Sequence, residues 1–150
     1  MAEVMTAIPE SIYELLQQAP IVQLCTIDAD NGSPSLNAIS WVYAPDKGRL
    51  RFAVDGRSRI IDNIRSHAQV SVSVFGAGSL YALNGKATIV TESLEDVPFK
   101  LCCIDIAIET VRDAMFYGAR ISVMPEYEKT YDQRAAAKLD GQVFDAMRKA

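Results

Sequence analysis

Arg57, Ser58 and Arg59 follow a tight Asp55-Gly56 turn, where the chain changes character. The run Gly48-Arg-Leu-Arg-Phe-Ala-Val-Asp-Gly-Arg-Ser-Arg-Ile-Ile-Asp-Asn-Ile-Arg-Ser-His-Ala68 reads as a strand, a glycine turn and the first turns of an amphipathic helix. Two cations at a helix start are electrostatically uphill, because that end already carries partial positive charge. A bound anion would reverse the sign, since free backbone N–H groups converge there. Arginine suits such an anion: its planar fork matches phosphate oxygens. On spacing alone the pattern fits a phosphate site or an exposed basic turn, because it lacks the specificity of a P-loop.

The other chemistry-bearing residues are sparse. His67 is the only histidine. A metal site needing two histidines from one chain is therefore excluded, and a Ser-His-Asp or Cys-His mechanism is disfavoured; no metal is expected. His67 follows the apolar helix face and suits a C-terminal cap. Asp105 and Glu109 share a strand face, but four residues of strand separate them by roughly 13 Å, too far for an acid–base pair. Trp41, Tyr43 and Phe52 could wall a planar ligand or simply fill a core. Phe116 and Tyr117, in a loop after the last strand, suit packing between subunits or closing over a ligand held by a partner, and Lys86 reads as an exposed strand residue or a ligand contact.

The whole chain has 150 residues, enough to bury a sizeable core in one domain. Hydrophobic residues make up 49% and charged residues 23%, the balance of a soluble globular protein. A net charge of −4 argues against a broad nucleic-acid footprint. Cys25, Cys102 and Cys103 are an odd count without CxxC spacing, which favours reduced, buried thiols and a cytoplasmic setting. No apolar run approaches the roughly 18 residues of a membrane span. Glu3 and Glu10, with no basic segment, speak against a secretory signal.

Periodicity gives the elements that must position these residues. A short helix is expected over 9–19, with Pro9 at its first position and Pro20 ending it. Strands follow over 21–28 and 35–43, joined by the hairpin signal Asp30-Asn31-Gly32, and a third over 49–54. After the Ile60, Ile61, Ile64 helix come strands over 69–75, 80–90 and 102–112. Gly85, inside the fifth strand, suggests a bulge or barrel corner. Ser93 to Phe99 suggests a brief helical connection capped by Ser93. From Glu126 to about 149 a helix is expected, with Tyr127, Tyr131, Leu139, Val143 and Met147 on one face. Gly141 weakens it by about 1 kcal/mol relative to alanine and could break it. The order predicts a mainly β fold with flanking helices, a six-stranded antiparallel barrel in one domain over 1–150.

This order, with Leu50–Val54, Gly56-Arg-Ser-Arg-Ile-Ile-Asp-Asn-Ile64, Val70–Val74 and Leu83-Asn-Gly-Lys-Ala-Thr-Ile-Val90 in place, resembles the pyridoxamine 5′-phosphate oxidase-like FMN-binding split-barrel family over about residues 9–123. The resemblance implies a six-stranded Greek-key split barrel that dimerises, with FMN at the subunit interface. It implies that Arg59 and Ser58 meet the phosphate, with Arg57 as a weaker third contact and Asn63 within reach of the phosphate or ribityl chain. Phe52, Ala53 and Val54 would pass the flavin ring, partly through backbone groups. Ser40, Trp41 and Val42, with Ile39, would form the adjoining wall.

The chain departs from the oxidase that names the family. It lacks that enzyme's C-terminal Arg-x-His motif and closing Trp-containing segment, so pyridoxamine phosphate oxidation is not what the resemblance implies. The expected activity is hydride transfer through FMN, from a donor such as NAD(P)H to a small acceptor. The alternatives are a flavin-binding protein without turnover, serving storage, sensing or stress response, and a related barrel that binds deazaflavin or haem. With His67 as the sole histidine, haem is the less favoured ligand.

Overall fold

Period-two alternation becomes strand wherever one face can be buried. The clearest case is Gln69–Gly76, which buries Val70, Val72 and Val74 while Ser71 and Ser73 remain half-buried. The computed structural model describes residues 4–150. Its elements in order are β1 (Val4–Met5), α1 (Glu10–Leu15), β2 (Val22–Ile27), β3 (Pro34–Ile39), β4 (Val42–Asp46), β5 (Arg49–Asp55), α2 (Arg59–Ser66), β6 (Gln69–Gly76), β7 (Ser79–Thr91), β8 (Leu101–Asp113) and α3 (Gln133–Lys149).

Every strand pairing is antiparallel, in the order β3-β2-β6-β7-β8-β5-β4, with β1 added to the far end of β8. The two edges of this path, β3 and β4, are consecutive in the chain, and only Ser40 and Trp41 lie between them. Seven strands laid flat would hold their edges roughly 29 Å apart at about 4.8 Å per spacing. Three residue steps, Ile39 to Val42, span at most about 11 Å. The sheet must therefore curl until its edges almost meet. The chain crosses the remaining gap at Ser40-Trp41, which makes the architecture a split barrel.

The barrel interior holds Leu24, Val42, Leu50, Phe52, Val72 and Ile104, with Ile8, Ile12 and Leu16 around α1 packed into the same cluster. Gly76 lets α1 approach, since a Cβ there would lie 2.6 Å from Ile12 Cδ1. Gly85 sits at a register shift between β7 and β8, where a Cβ would lie 2.1 Å from the Ala107 carbonyl oxygen. The bulge expected there is present, and only glycine fits it.

A second, smaller core lies outside the barrel. Tyr43, Ala53 and Cys103 on the outer faces of β4, β5 and β8 are covered by Val143, Ala146 and Met147 of α3. Arg51 projects from the same face. It pairs with Asp105 and donates to the carbonyls of Met147 and Ala150 at 2.7 and 3.0 Å, satisfying orphan groups at the end of α3.

Several boundaries differ from those the sequence predicts. The sheet has eight strands rather than six. The expected strand over 35–43 breaks at Ser40-Trp41 into β3 and β4, because no single strand can line both edges of the split, and Val4–Met5 adds β1. The first helix runs only over Glu10–Leu15, with Pro9 as its N-cap rather than its first residue. Residues 93–99 are not helical; Ser93 N–H donates to Thr91 Oγ1 and closes a local turn instead. The C-terminal helix begins at Gln133, since the Asp132 carboxylate caps the N–H groups of Arg134 and Ala135. Tyr127 and Tyr131 precede it and are exposed. Gly141 does not break α3, where it sits on the exposed side.

Cys102 and Cys103 are buried and Cys25 only half so; all three are free thiols. Burial pushes the Cys103 thiol up to about 11. No helix among the described residues is long and apolar enough to cross a membrane.

Candidate functional site

The β5–turn–α2 segment forms as its residues dictate. Alternation carries β5 to Asp55, whose carboxylate then accepts the Arg57 N–H at 2.8 Å and tightens the turn. Ser58 is the N-cap of α2: its hydroxyl accepts the Ile60 N–H at 3.2 Å, leaving its own O–H free to donate. Ile60, Ile61 and Ile64 bury the inner face of α2, which turns Arg59 outward.

Arg59 does not stand free. Its Nε donates to Asp28 Oδ2 at 2.9 Å, and its Nη2 donates to Asp28 Oδ1 at 3.0 Å and Asp30 Oδ2 at 2.8 Å. Nη1 makes no hydrogen bond to a protein acceptor among the described residues, and the side chain is 51% exposed. The guanidinium holds the Asp28 carboxyl well below the usual carboxylate range, helped by the Asn31 and Asp30 N–H groups. Arg57 is almost fully exposed and pairs with Asp55, whose carboxyl it lowers.

Asn63 is 1% exposed, and both ends of its amide are taken. Oδ1 accepts the Ala29 N–H at 2.9 Å, while Nδ2 donates to Thr26 Oγ1 at 3.0 Å. Asn63 and Arg59, one helical turn apart, thus staple α2 to the β2–β3 turn. Phe52, Val42 and Val54 send their side chains into the barrel core, and Ala53 packs beneath α3. What β5 offers a ligand here is backbone. Its last bond to the β4 side is Ala53 N–H to the Trp41 carbonyl at 3.0 Å, so Val54 and Asp55 run on beyond it toward α2. Ser40 and Trp41 lie half-buried in the split, and Trp41 Nε1 donates to Asp140 of α3 at 2.8 Å.

Four polar partners were not visible in the sequence: Asp28 and Asp30 against Arg59, Asp140 against Trp41, and Asp105 against Arg51. Each is at least 29 residues from its partner, and periodicity carries no signal over that distance. Asp105 is consumed by Arg51 and Arg49, and it is not available as an acid or base.

Two surface concavities are lined by neither Arg59 nor Trp41. One of about 300 Å³ separates the 90–96 loop from the end of α3. Another of about 300 Å³ is cut into the outer face of β2, β6 and β7 around Cys25, Ser71 and Asn84.

A sequence model of the pyridoxamine 5′-phosphate oxidase family matches residues 8–112, more than half of the chain and the whole of the β5–α2 segment. The chain belongs to this family. No curated protein matches the sequence. Solved structures share the split barrel at low identity. A candidate pyridoxamine 5′-phosphate oxidase from Lactobacillus delbrueckii is 18% identical, with 71% of this chain and 94% of that one covered and a TM-score of 0.60. An F420 reductase is 21% identical over 69% of this chain and 98% of that one, with a TM-score of 0.58. A pyridoxamine 5′-phosphate oxidase-related, FMN-binding protein from Nostoc punctiforme is 16% identical over 66% and 75%, with a TM-score of 0.51. At such identities the likeness is one of fold.

The residues present in this family member fit a flavin phosphate at the start of α2 on one condition. Arg59 has a free Nη1 and Ser58 a free O–H, but Asp28, Asp30 and Asp55 hold the two cations. An incoming anion meets Nη1 and the Ser58 hydroxyl directly, but a paired contact that includes Nη2 requires a carboxylate to yield.

Proposed function

We propose that the chain is an FMN-binding oxidoreductase of the pyridoxamine 5′-phosphate oxidase-like class, acting as a homodimer with FMN at the subunit interface. The observation that carries this is the placement of Ser58 and Arg59. Both stand at the head of α2, within the family match, where β5 leads from the Trp41 crossing to the helix. Arg59 and Ser58 hold the phosphate, with Arg57 supporting from solvent. The backbone of Phe52, Ala53 and Val54 and the Ser40-Trp41-Val42 crossing border the ring. Asn63 contributes by fixing the 28–33 turn against α2.

Bound FMN supplies the hydride chemistry, and the protein need only bind, orient and tune it. The donor is NAD(P)H or a similar hydride source, and the acceptor a small molecule. Three free thiols are in keeping with a cytoplasmic setting.

The test is titration of FMN against the protein and its Arg59→Ala variant, with anaerobic NADH or NADPH added to the loaded form. Tight binding that the variant loses, with bleaching of the flavin and reoxidation by an acceptor, is expected. Binding without bleaching would leave a flavin carrier rather than an oxidoreductase. A folded Arg59→Ala protein with unchanged affinity would remove the phosphate assignment.

A further inference from the structure

The two carboxylates that hold Arg59 differ in standing. Asp28 is 15% exposed at its side chain. Its Oδ1 accepts the N–H groups of Asp30 and Asn31 at 2.9 and 3.1 Å, and both of its oxygens meet the arginine. It builds the turn. Asp30 is 82% exposed, and its side chain makes one contact, Oδ2 to Arg59 Nη2 at 2.8 Å. An exposed pair of this kind contributes little to folding, yet it takes Nη2 at the edge that nitrogen shares with the unpartnered Nη1 of a half-exposed arginine.

A phosphate at that edge needs Nη2 for the paired, fork-like contact that makes arginine selective for such oxygens. It would also bring negative charge beside the Asp30 carboxylate. We infer that Asp30 is a displaceable competitor for the phosphate, and that it sets the affinity of the site for phosphorylated over unphosphorylated ligand. Asp28 stays on Nε and keeps the fork oriented, while Asp30 yields Nη2 and swings into solvent. This rests on the FMN proposal above and adds to it a residue that weakens binding.

The experiment compares FMN with riboflavin, which lacks the phosphate, on the full chain and on Asp30→Asn and Asp30→Ser. Quenching of flavin fluorescence gives the affinities, and thermal unfolding shows that the variants fold. Both variants are expected to bind FMN about two- to fivefold more tightly at low ionic strength, the range of a single exposed charge contact. Riboflavin affinity is expected not to change. The gain should shrink as salt is raised, because the competing charge is in solvent. Unchanged or weakened FMN binding by the variants overturns the inference. So does an equal shift for FMN and riboflavin, which would place the effect in the fold. If the unaltered chain binds neither flavin, the FMN proposal falls and takes this inference with it. That result is distinct from FMN binding that ignores Asp30.

Discussion

The Trp41 indole N–H donates to Asp140 at 2.8 Å, joining the crossing of the barrel split to the C-terminal helix 99 residues later. Asp140 also accepts from Lys129 at 3.2 Å, so the contact anchors the segment leading into α3 as well. Trp41 is the only tryptophan in the chain, and its emission reports this contact directly. Asp140→Ala should shift that emission to the red and lower stability by about 1 kcal/mol, the net worth of one such hydrogen bond. Asp140→Asn keeps an acceptor and should retain most of both. Emission spectra with urea unfolding check the pair.

Arg51 is 7% exposed and ties three segments together: β5, Asp105 of β8, and the last carbonyls of α3. The hydrogen bonds to Asp105 raise the arginine's proton affinity further, so Arg51 carries its charge at every working pH. Removing Arg51 leaves Asp105 with only the longer Arg49 contact at 3.3 Å and strips the last carbonyls of α3 of their donor. Arg51→Ala should therefore cost about 3 kcal/mol. The double variant with Asp105→Ala should cost clearly less than the sum of the two single changes. Denaturation midpoints of the four proteins complete the cycle.

Asp28 gives the stability a pH dependence of known sign. Its carboxyl is held well below its ordinary value of 3.8 when folded, so the unfolded chain takes up the proton first. The stabilisation is complete above about pH 5 and is lost as pH falls through 3.8 and on toward the folded value. Thermal unfolding between pH 6 and pH 2 should show this fall. Asp28→Asn should be less stable at neutral pH and should show a shallower decline.

The β6–β7 hairpin turns at Ala77-Gly78, with both residues at positive φ, 51° and 73°. A two-residue hairpin of this kind favours Asn or Gly at its first position, where a Cβ is strained. Ala77→Asn or Ala77→Gly should raise stability by about 1 kcal/mol, or roughly 2–4 °C in Tm for a chain of this size. Calorimetry checks it.

How much of this was legible depended on distance along the chain. The β5–α2 segment was placed within a residue or two, because alternating Leu50, Phe52 and Val54 and helically spaced Ile60, Ile61 and Ile64 are local signals. The Ser40-Trp41 break was not legible. Nothing in Ser35 to Tyr43 marks a turn, and the break comes from where the barrel opens rather than from local preference. The start of α3 is not legible either, because Tyr127 and Tyr131 fall at helical spacing while the Asp132 cap decides the boundary. At the site, Arg59 could be singled out from its neighbours. Its grip on Asp28 and Asp30 could not, since β2 must first fold back over α2. The electrostatic oddity of two cations at a helix start thus has a local answer in aspartates, and an anion has to compete with it.

The most direct measurement is the identity of whatever the purified chain carries. A yellow protein that releases FMN on denaturation, with about one flavin per chain and a spectrum lost in Arg59→Ala, is the expected result. A colourless chain that binds no added FMN would contradict the account, as would a released deazaflavin or haem.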